Sequence, residues 1–162
     1  MRLWPHSTDM TGPRRLRGWD LATWRLAQSD PALVSTMVGV LELPHAVDLG
    51  ELLVRIAGAV GRHEALRSVL HVSAGQPELE VLETIDVRAR CKLLPASTAV
   101  AGCARDLASR TFVDGEPLWR LRVIARPHQT IVITAMHHAI ADGGSALALL
   151  SGIFDNPAAA EP

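Results

Sequence analysis

The spacing of apolar residues along the 162-residue chain predicts four helices. The strongest pattern lies in residues 49–60, where apolar side chains recur at i, i+3 and i+4. Asp48 stands immediately before this stripe as an N-cap, and Glu51 completes a capping box with it. The other three helices are predicted at residues 19–28, at residues 100–108, and from an N-cap at Ser145 through residue 154.

Between the helices, apolar and β-branched runs predict strands. Residues 66–72 and 78–87 flank a turn at 75–77, so we expect them to pair as a hairpin. Residues 130–136 form a continuous apolar run, which is typical of a strand buried on both faces. Further strands are predicted at residues 35–43 and 118–125. Helices and strands interleaved in this order predict an α/β fold, with a mixed sheet and helices packed on it.

The chain is expected to form one domain between two ends without regular structure. Residues 1–18 carry prolines, glycines and scattered charges with no sustained period, and are interpreted as a flexible lead-in. Residues 19–154 contain the predicted elements, whereas residues 155–162 are interpreted as a linker-like end. With 48% apolar residues, the chain has enough hydrophobic side chains for a real core.

Composition excludes several classes of protein. Sixteen basic and 17 acidic residues give a formal net charge of −1, which does not favour a nucleic-acid partner. No apolar stretch reaches the roughly 18 residues of a membrane span, and the N-terminus lacks the apolar run of a signal peptide. Cys91 and Cys103 show no metal-binding spacing, and a chain of this size does not need a disulfide. We therefore expect a cytoplasmic protein without a transmembrane segment.

The residues best suited to chemistry follow the most apolar strand. His137 and His138 stand at its end, and Asp142 and Gly143 follow on the turn into the last helix, where layered α/β proteins form sites. Because side chains alternate along a strand, only one of the two histidines faces the crevice while the other is structural. A neutral imidazole works as a general base near neutral pH. One of these histidines is therefore a candidate catalytic base.

Residue types alone leave two other interpretations of this turn open. A histidine near a strand end is commonly a hydrogen-bonded structural residue. His137, His138 and Asp142 are also possible metal ligands, although adjacent histidines diverge on a strand and no second cluster supplies further ligands. Ser145 does not fit a nucleophile elbow, because Leu147 stands where that motif requires glycine.

The segment from His137 to Gly143 has the form HHxxxDG, and it resembles the signature of the condensation-domain and CoA-dependent acyltransferase superfamily. Two other segments carry the same likeness. The sequence PLWRL at residues 117–121 lies one hairpin upstream, and RHEALRS at residues 62–68 is similar to the RHExLRT motif of peptide-synthetase condensation domains. The resemblance covers residues 20–154, and it fits either a condensation domain or a wax ester synthase/diacylglycerol acyltransferase.

This resemblance implies a chloramphenicol-acetyltransferase-like fold, in which two α/β lobes enclose a tunnel and the present chain is the N-terminal lobe. It implies that His138 deprotonates the attacking hydroxyl or amine. It gives Asp142 a structural role, paired with Arg62 or Arg67. Gly143 is then expected to let the chain turn tightly near the reacting thioester.

The resemblance also implies the substrates and partners. The acyl donor would be a thioester of CoA or of a carrier-protein phosphopantetheine, with no permanently bound cofactor and no metal. A C-terminal lobe, supplied by a second chain or by homodimerisation, would complete the site, and the face that meets it should leave an apolar patch. The alternative is a non-catalytic module that binds the thioester or carrier, or a truncated remnant.

Overall fold

The computed structural model describes residues 13–29 and 36–154, which form two sheets covered by helices. The helices are α1 (Gly18–Ser29), α2 (Leu49–Arg62), α3 (Val87–Arg90), α4 (Val100–Ser109) and α5 (Gly143–Phe154). The strands are β1 (Arg14–Arg15), β2 (Thr36–Leu43), β3 (Ser68–Ser73), β4 (Gln76–Val81), β5 (Cys91–Leu94), β6 (Trp119–Arg126) and β7 (Gln129–His137). The predicted α/β class, with helices packed on a mixed sheet, is confirmed.

The larger sheet positions the candidate site. Its strand order is β2-β7-β6-β5, antiparallel except for the parallel pair of β5 and β6. The register sets Thr36 of β2 opposite His137, and Trp119 of β6 opposite Met136, so the chain leaves this sheet at one end to form the HHxxxDG turn. The smaller sheet has the order β1-β4-β3 and contains the predicted hairpin, which is confirmed.

Strand β7 is buried on both faces because apolar side chains cover both sides of the larger sheet. Val132 and Met136 belong to one core, which also contains side chains of α2 and α5. Ile131 and Ile133 belong to a second core, where Leu107 of α4 packs. Every residue of β7 after Gln129 is buried, which explains the continuous apolar run in the sequence.

Helix α2 begins at the predicted cap. The Asp48 carboxylate accepts the backbone N–H of Glu51 at 2.9 Å. The Glu51 carboxylate forms an ion pair with Arg55, one turn later in the helix. The predicted capping box required this carboxylate to contact the backbone N–H of Asp48 instead. Leu52 and Ile56 on the apolar stripe are at most 2% exposed, so the predicted face is the buried one.

The second half of the predicted strand 78–87 is not a strand. Strand β4 ends at Val81, and the side chain of Asp86 accepts hydrogen bonds from the backbone N–H groups of Arg88 and Ala89. This cap starts the short helix α3 and removes the segment from the sheet. Strand β5 follows it and was not predicted, because it is only four residues long and its two central residues are exposed.

Two other boundaries differ from the sequence pattern. Leu66 lies in a 3-10 turn (Glu64–Arg67) and not in β3, since its carbonyl accepts the indole N–H of Trp119 at 2.7 Å. Part of the predicted lead-in takes part in the fold, because β1 pairs with β4 and Leu16 is buried in the core beside α2. Residues 1–12 and 155–162, where the two ends were predicted, lie outside the described residues.

Candidate functional site

The HHxxxDG turn is held by backbone hydrogen bonds at the end of β7. The N–H of His137 donates to the Leu118 carbonyl at 2.9 Å, and the N–H of Ile140 donates to the His137 carbonyl at 3.1 Å. The Asp142 carboxylate accepts the backbone N–H of Ser145 at 2.7 Å and caps α5. The predicted cap at Ser145 is therefore wrong: the helix begins two residues earlier, at Gly143, because Asp142 supplies the acceptor.

The two histidines separate as strand alternation requires. His137 is 8% exposed, and its Nδ1 accepts the backbone N–H of Ala139 at 3.0 Å. An accepting Nδ1 carries no proton, so the ring is the neutral tautomer with its proton on Nε2. Burial, with a smaller contribution from neighbouring His138, lowers the pKa of His137 to about 4. His137 is thus a neutral structural anchor at neutral pH.

His138 is exposed, and its ring lies within electrostatic range of one carboxyl group of α1. Burial raises the pKa of Asp20, and the charges of Arg14 and His138 partly oppose that rise. The fold therefore brings a half-buried carboxyl group of α1 within electrostatic range of the exposed imidazole of His138. The sequence pattern had not singled out Asp20, because sequence spacing does not show that α1 approaches the end of β7.

An apolar groove of about 260 Å³ runs between α5 and the β2–β7 pair. Met136, which precedes the HHxxxDG turn, and Gly143, its last residue, both line the groove, so one end of the groove lies beside the turn. At Gly39 the space is open enough that an added Cβ would lie 3.7 Å from Thr134 Oγ1. The remaining lining residues are Met37, Val38, Val40, Leu41, Ala146, Leu147, Leu150 and Ser151.

These groove residues were not predicted as site residues. All five residues from Met37 to Leu41 line the groove, so the period-2 alternation of a strand could not have singled them out. The apolar patch expected beside the site is present in part, because Leu147 is 64% exposed and Val40 is 47% exposed, and both line the groove.

The expected ion pair of Asp142 with an arginine is not formed among the described residues. Asp142 is exposed, and hydrogen bonds from the backbone and side chain of Ser145 lower its pKa. Arg67 instead donates to the carbonyls of Val60 and Gly61 at 2.8 Å each and to that of Leu82 at 3.0 Å. It ties the end of α2 to the end of β4, where carbonyl groups need donors.

Arg62 and Gly143 also differ from the expectation. Arg62 is the exposed last residue of α2 and has no hydrogen bond or ion pair to Asp142. Gly143 has no positive φ, and an added Cβ would meet no atom within 4 Å. The turn therefore does not require glycine conformationally, and Gly143 contributes open space at the groove.

Among residues 13–29 and 36–154, no three histidine, cysteine or carboxylate side chains come together in a way that would hold a metal ion. The metal interpretation of His137, His138 and Asp142 therefore gains no further ligand from these residues. In the same part of the chain, no helix is both long enough and apolar enough to cross a membrane.

Comparisons with known proteins identify the family of this chain. The family model of the wax ester synthase/diacylglycerol acyltransferase catalytic domain matches residues 16–162. A protein of Salinispora arenicola (strain CNS-205) that is named as a nonribosomal peptide synthetase, CymA, is 32% identical over 119 residues, which are 70% of this chain and 2% of that protein. The isonitrile lipopeptide synthase of Mycobacterium tuberculosis (strain ATCC 25618 / H37Rv) is 31% identical over 80% of this chain and 6% of its own length.

Solved structures show the same fold. The starter condensation domain of the rhizomide synthetase RzmA matches with a TM-score of 0.75 and 12% identity, over 88% of this chain and 38% of that chain. A variant of it was solved in complex with C8-CoA, and it matches with a TM-score of 0.73 over 87% of this chain and 34% of that chain, at 13% identity. The present chain therefore spans only a small part of its relatives and of these solved domains.

Proposed function

Because this chain belongs to the wax ester synthase/diacylglycerol acyltransferase catalytic-domain family, we propose that it is the lobe of an acyltransferase that carries the general base, His138. One observation carries the proposal: an exposed imidazole follows a fully buried strand, on a turn anchored by a neutral histidine and beside an apolar groove. A rigid strand end gives the base a defined direction, and the groove offers a place for an apolar substrate.

The proposed reaction is the transfer of an acyl group from a thioester to a hydroxyl or amine. His138 takes the proton of the acceptor O–H or N–H as its oxygen or nitrogen attacks the thioester carbonyl carbon. The C–S bond then breaks, and the proton passes from the imidazolium to the departing sulfur. The products are an ester or amide and a free thiol, and His138 is neutral again.

The groove is the proposed place for the acyl chain. Its lining is nearly all apolar, and a methylene group gains about 0.8 kcal/mol when it leaves water for such a surface. The C8-CoA complex of a condensation domain with this fold supports a CoA thioester as donor. A carrier-protein thioester is equally compatible with the relatives named as peptide and lipopeptide synthases.

A second lobe, on the same or another polypeptide, is proposed to close the site. The chain spans 38% of the RzmA domain, and the exposed side chains of Leu147 and Val40 lie at the rim of the groove. An apolar rim of this kind is typical of a surface that another unit covers. The alternative is a module that binds the thioester or carrier without turnover, or a truncated remnant.

The test combines binding and turnover with octanoyl-CoA as donor and either a long-chain alcohol or an amine as acceptor. We expect His138→Ala to lower the transfer rate by about 10²- to 10⁴-fold while octanoyl-CoA binding persists. His128→Ala is the matched control, because His128 is an exposed histidine in the turn between β6 and β7. Transfer that survives in His138→Ala would refute the base. Saturable binding without any wild-type transfer, in the protein completed by its second lobe, would favour the binding module.

A further inference from the structure

The loop between α4 and β6 is clamped by one arginine. The Nη2 group of Arg120 donates to the Thr111 carbonyl at 2.8 Å and to the Glu116 carboxylate at 2.7 Å, and its Nε donates to the same carboxylate at 3.0 Å. The side chains of Arg120 and Glu116 are 12% and 14% exposed, so water screens this pair weakly. Glu116 also accepts a hydrogen bond from Arg90. The guanidinium thus joins the beginning of the loop to its end.

The clamped loop presents Phe112 to the site. The guanidinium carbon of Arg120 lies 4.3 Å from the centre of the Phe112 ring, in a cation–π arrangement. Phe112 also contacts His137, whose ring centre is 6.1 Å away at an interplanar angle of 79°. This edge-to-face geometry is the preferred one for aromatic pairs. Phe112 therefore links the Arg120 guanidinium to the ring of His137, the first residue of the HHxxxDG turn.

The orientation of the His137 ring matters for the turn that follows. Its Nδ1 accepts the N–H of Ala139, the residue directly after His138, at 3.0 Å. If the ring flipped or rotated, this acceptor would be lost and a buried N–H would have no partner, which is costly. The ring of His137 and the backbone on the far side of His138 are thus coupled.

We propose that Phe112 and Arg120 are positioning residues: the clamped loop holds the His137 ring with Nδ1 toward Ala139, and this contact sets the direction in which His138 leaves the strand. The catalytic consequence rests on the proposed function, whereas the effect on His137 and Ala139 does not. Neither residue is proposed to touch the reacting atoms.

The test uses Phe112→Leu, which keeps an apolar side chain, and Arg120→Lys, which keeps the charge but loses the planar fork. Matched controls are Ile56→Val on the buried face of α2, and Arg126→Lys at the far end of β6, whose guanidinium donates to the Ala96 carbonyl at 3.2 Å. Two measurements report on the contact: hydrogen exchange of the Ala139 amide, and long-range ¹⁵N–¹H imidazole spectra of His137, which identify its tautomer.

We expect Phe112→Leu to speed exchange of the Ala139 amide by about three- to tenfold, the value of an aromatic pair, and to populate the Nδ1–H tautomer of His137. Arg120→Lys should act in the same direction and the controls should not. A normal tautomer and normal exchange in both variants, with stability lowered as in the controls, would overturn the proposal.

Catalysis provides a separate arm. We expect kcat for octanoyl transfer to fall in Phe112→Leu with KM unchanged, because the contact orients the base and does not bind the donor. Altered spectra with an unchanged kcat would overturn the link from His137 to His138. Survival of transfer in His138→Ala would refute the role of His138 as general base. The exchange of the Ala139 amide and the tautomer of His137 would still decide whether Phe112 holds the His137 ring.

Discussion

Replacing His137 with asparagine tests the buried, neutral histidine through the pH dependence of stability. Asparagine does not titrate, and its side-chain oxygen stands near the position of Nδ1, so His137→Asn keeps an acceptor for the Ala139 N–H. In the wild type, burial lowers the pKa of His137 from 6.5 to about 4. The unfolded chain therefore binds a proton below pH 6.5 that the folded chain does not bind until about pH 4.

The sign and size of the effect follow from this difference. Stability is unaffected by His137 well above pH 6.5, falls as the pH decreases from 6.5 toward 4, and loses nothing further below that window. One pH unit corresponds to about 1.4 kcal/mol, so the whole window corresponds to about 3 kcal/mol. Between pH 7 and pH 5 the expected loss from His137 is about 2 kcal/mol.

Urea unfolding followed by circular dichroism at pH 7, 6 and 5 gives the free energy of unfolding at each pH. The difference between wild type and His137→Asn should shift by about 2 kcal/mol in favour of the variant as the pH falls from 7 to 5. The control variant His128→Asn, in the exposed β6–β7 turn, should follow the wild type. Parallel pH profiles for wild type and His137→Asn would refute a buried neutral His137.

Two further predictions concern packing and the groove. Trp119→Phe removes the buried hydrogen bond to the Leu66 carbonyl and part of a ring that is 2% exposed. We expect it to lower the free energy of unfolding in urea by about 2–4 kcal/mol, and a loss below about 0.5 kcal/mol would contradict that contact. Gly39→Val narrows the groove, since the methyls extend beyond a Cβ that already lies 3.9 Å from Leu150 Cδ1. Gly39→Val should weaken octanoyl-CoA binding about three- to tenfold, while acetyl-CoA binding and the Gly39→Ala control variant should be unaffected. Equal weakening for both donors would argue against an acyl chain in the groove.

Local patterns were sufficient for the long elements and for the position of the turn. Helix α2 and strand β7 were predicted because their burial depends on periodicity within a single segment. The separation of His137 from His138 also followed from strand alternation alone. The HHxxxDG resemblance led to the superfamily and left two families open, and the match over residues 16–162 identifies the wax ester synthase/diacylglycerol acyltransferase catalytic domain.

The tertiary structure decided what depends on distant parts of the chain. The resemblance had implied an ion pair of Asp142 with Arg62 or Arg67. Asp142 instead caps α5 and Arg67 binds backbone carbonyls, because the fold sets backbone N–H and carbonyl groups within hydrogen-bond distance of each side chain. The contact of Phe112 with His137 joins residues 25 positions apart and has no periodic trace in the sequence. Short-range patterns determine which face of an element is buried, while the groove and the support behind His137 arise only when separate elements pack together.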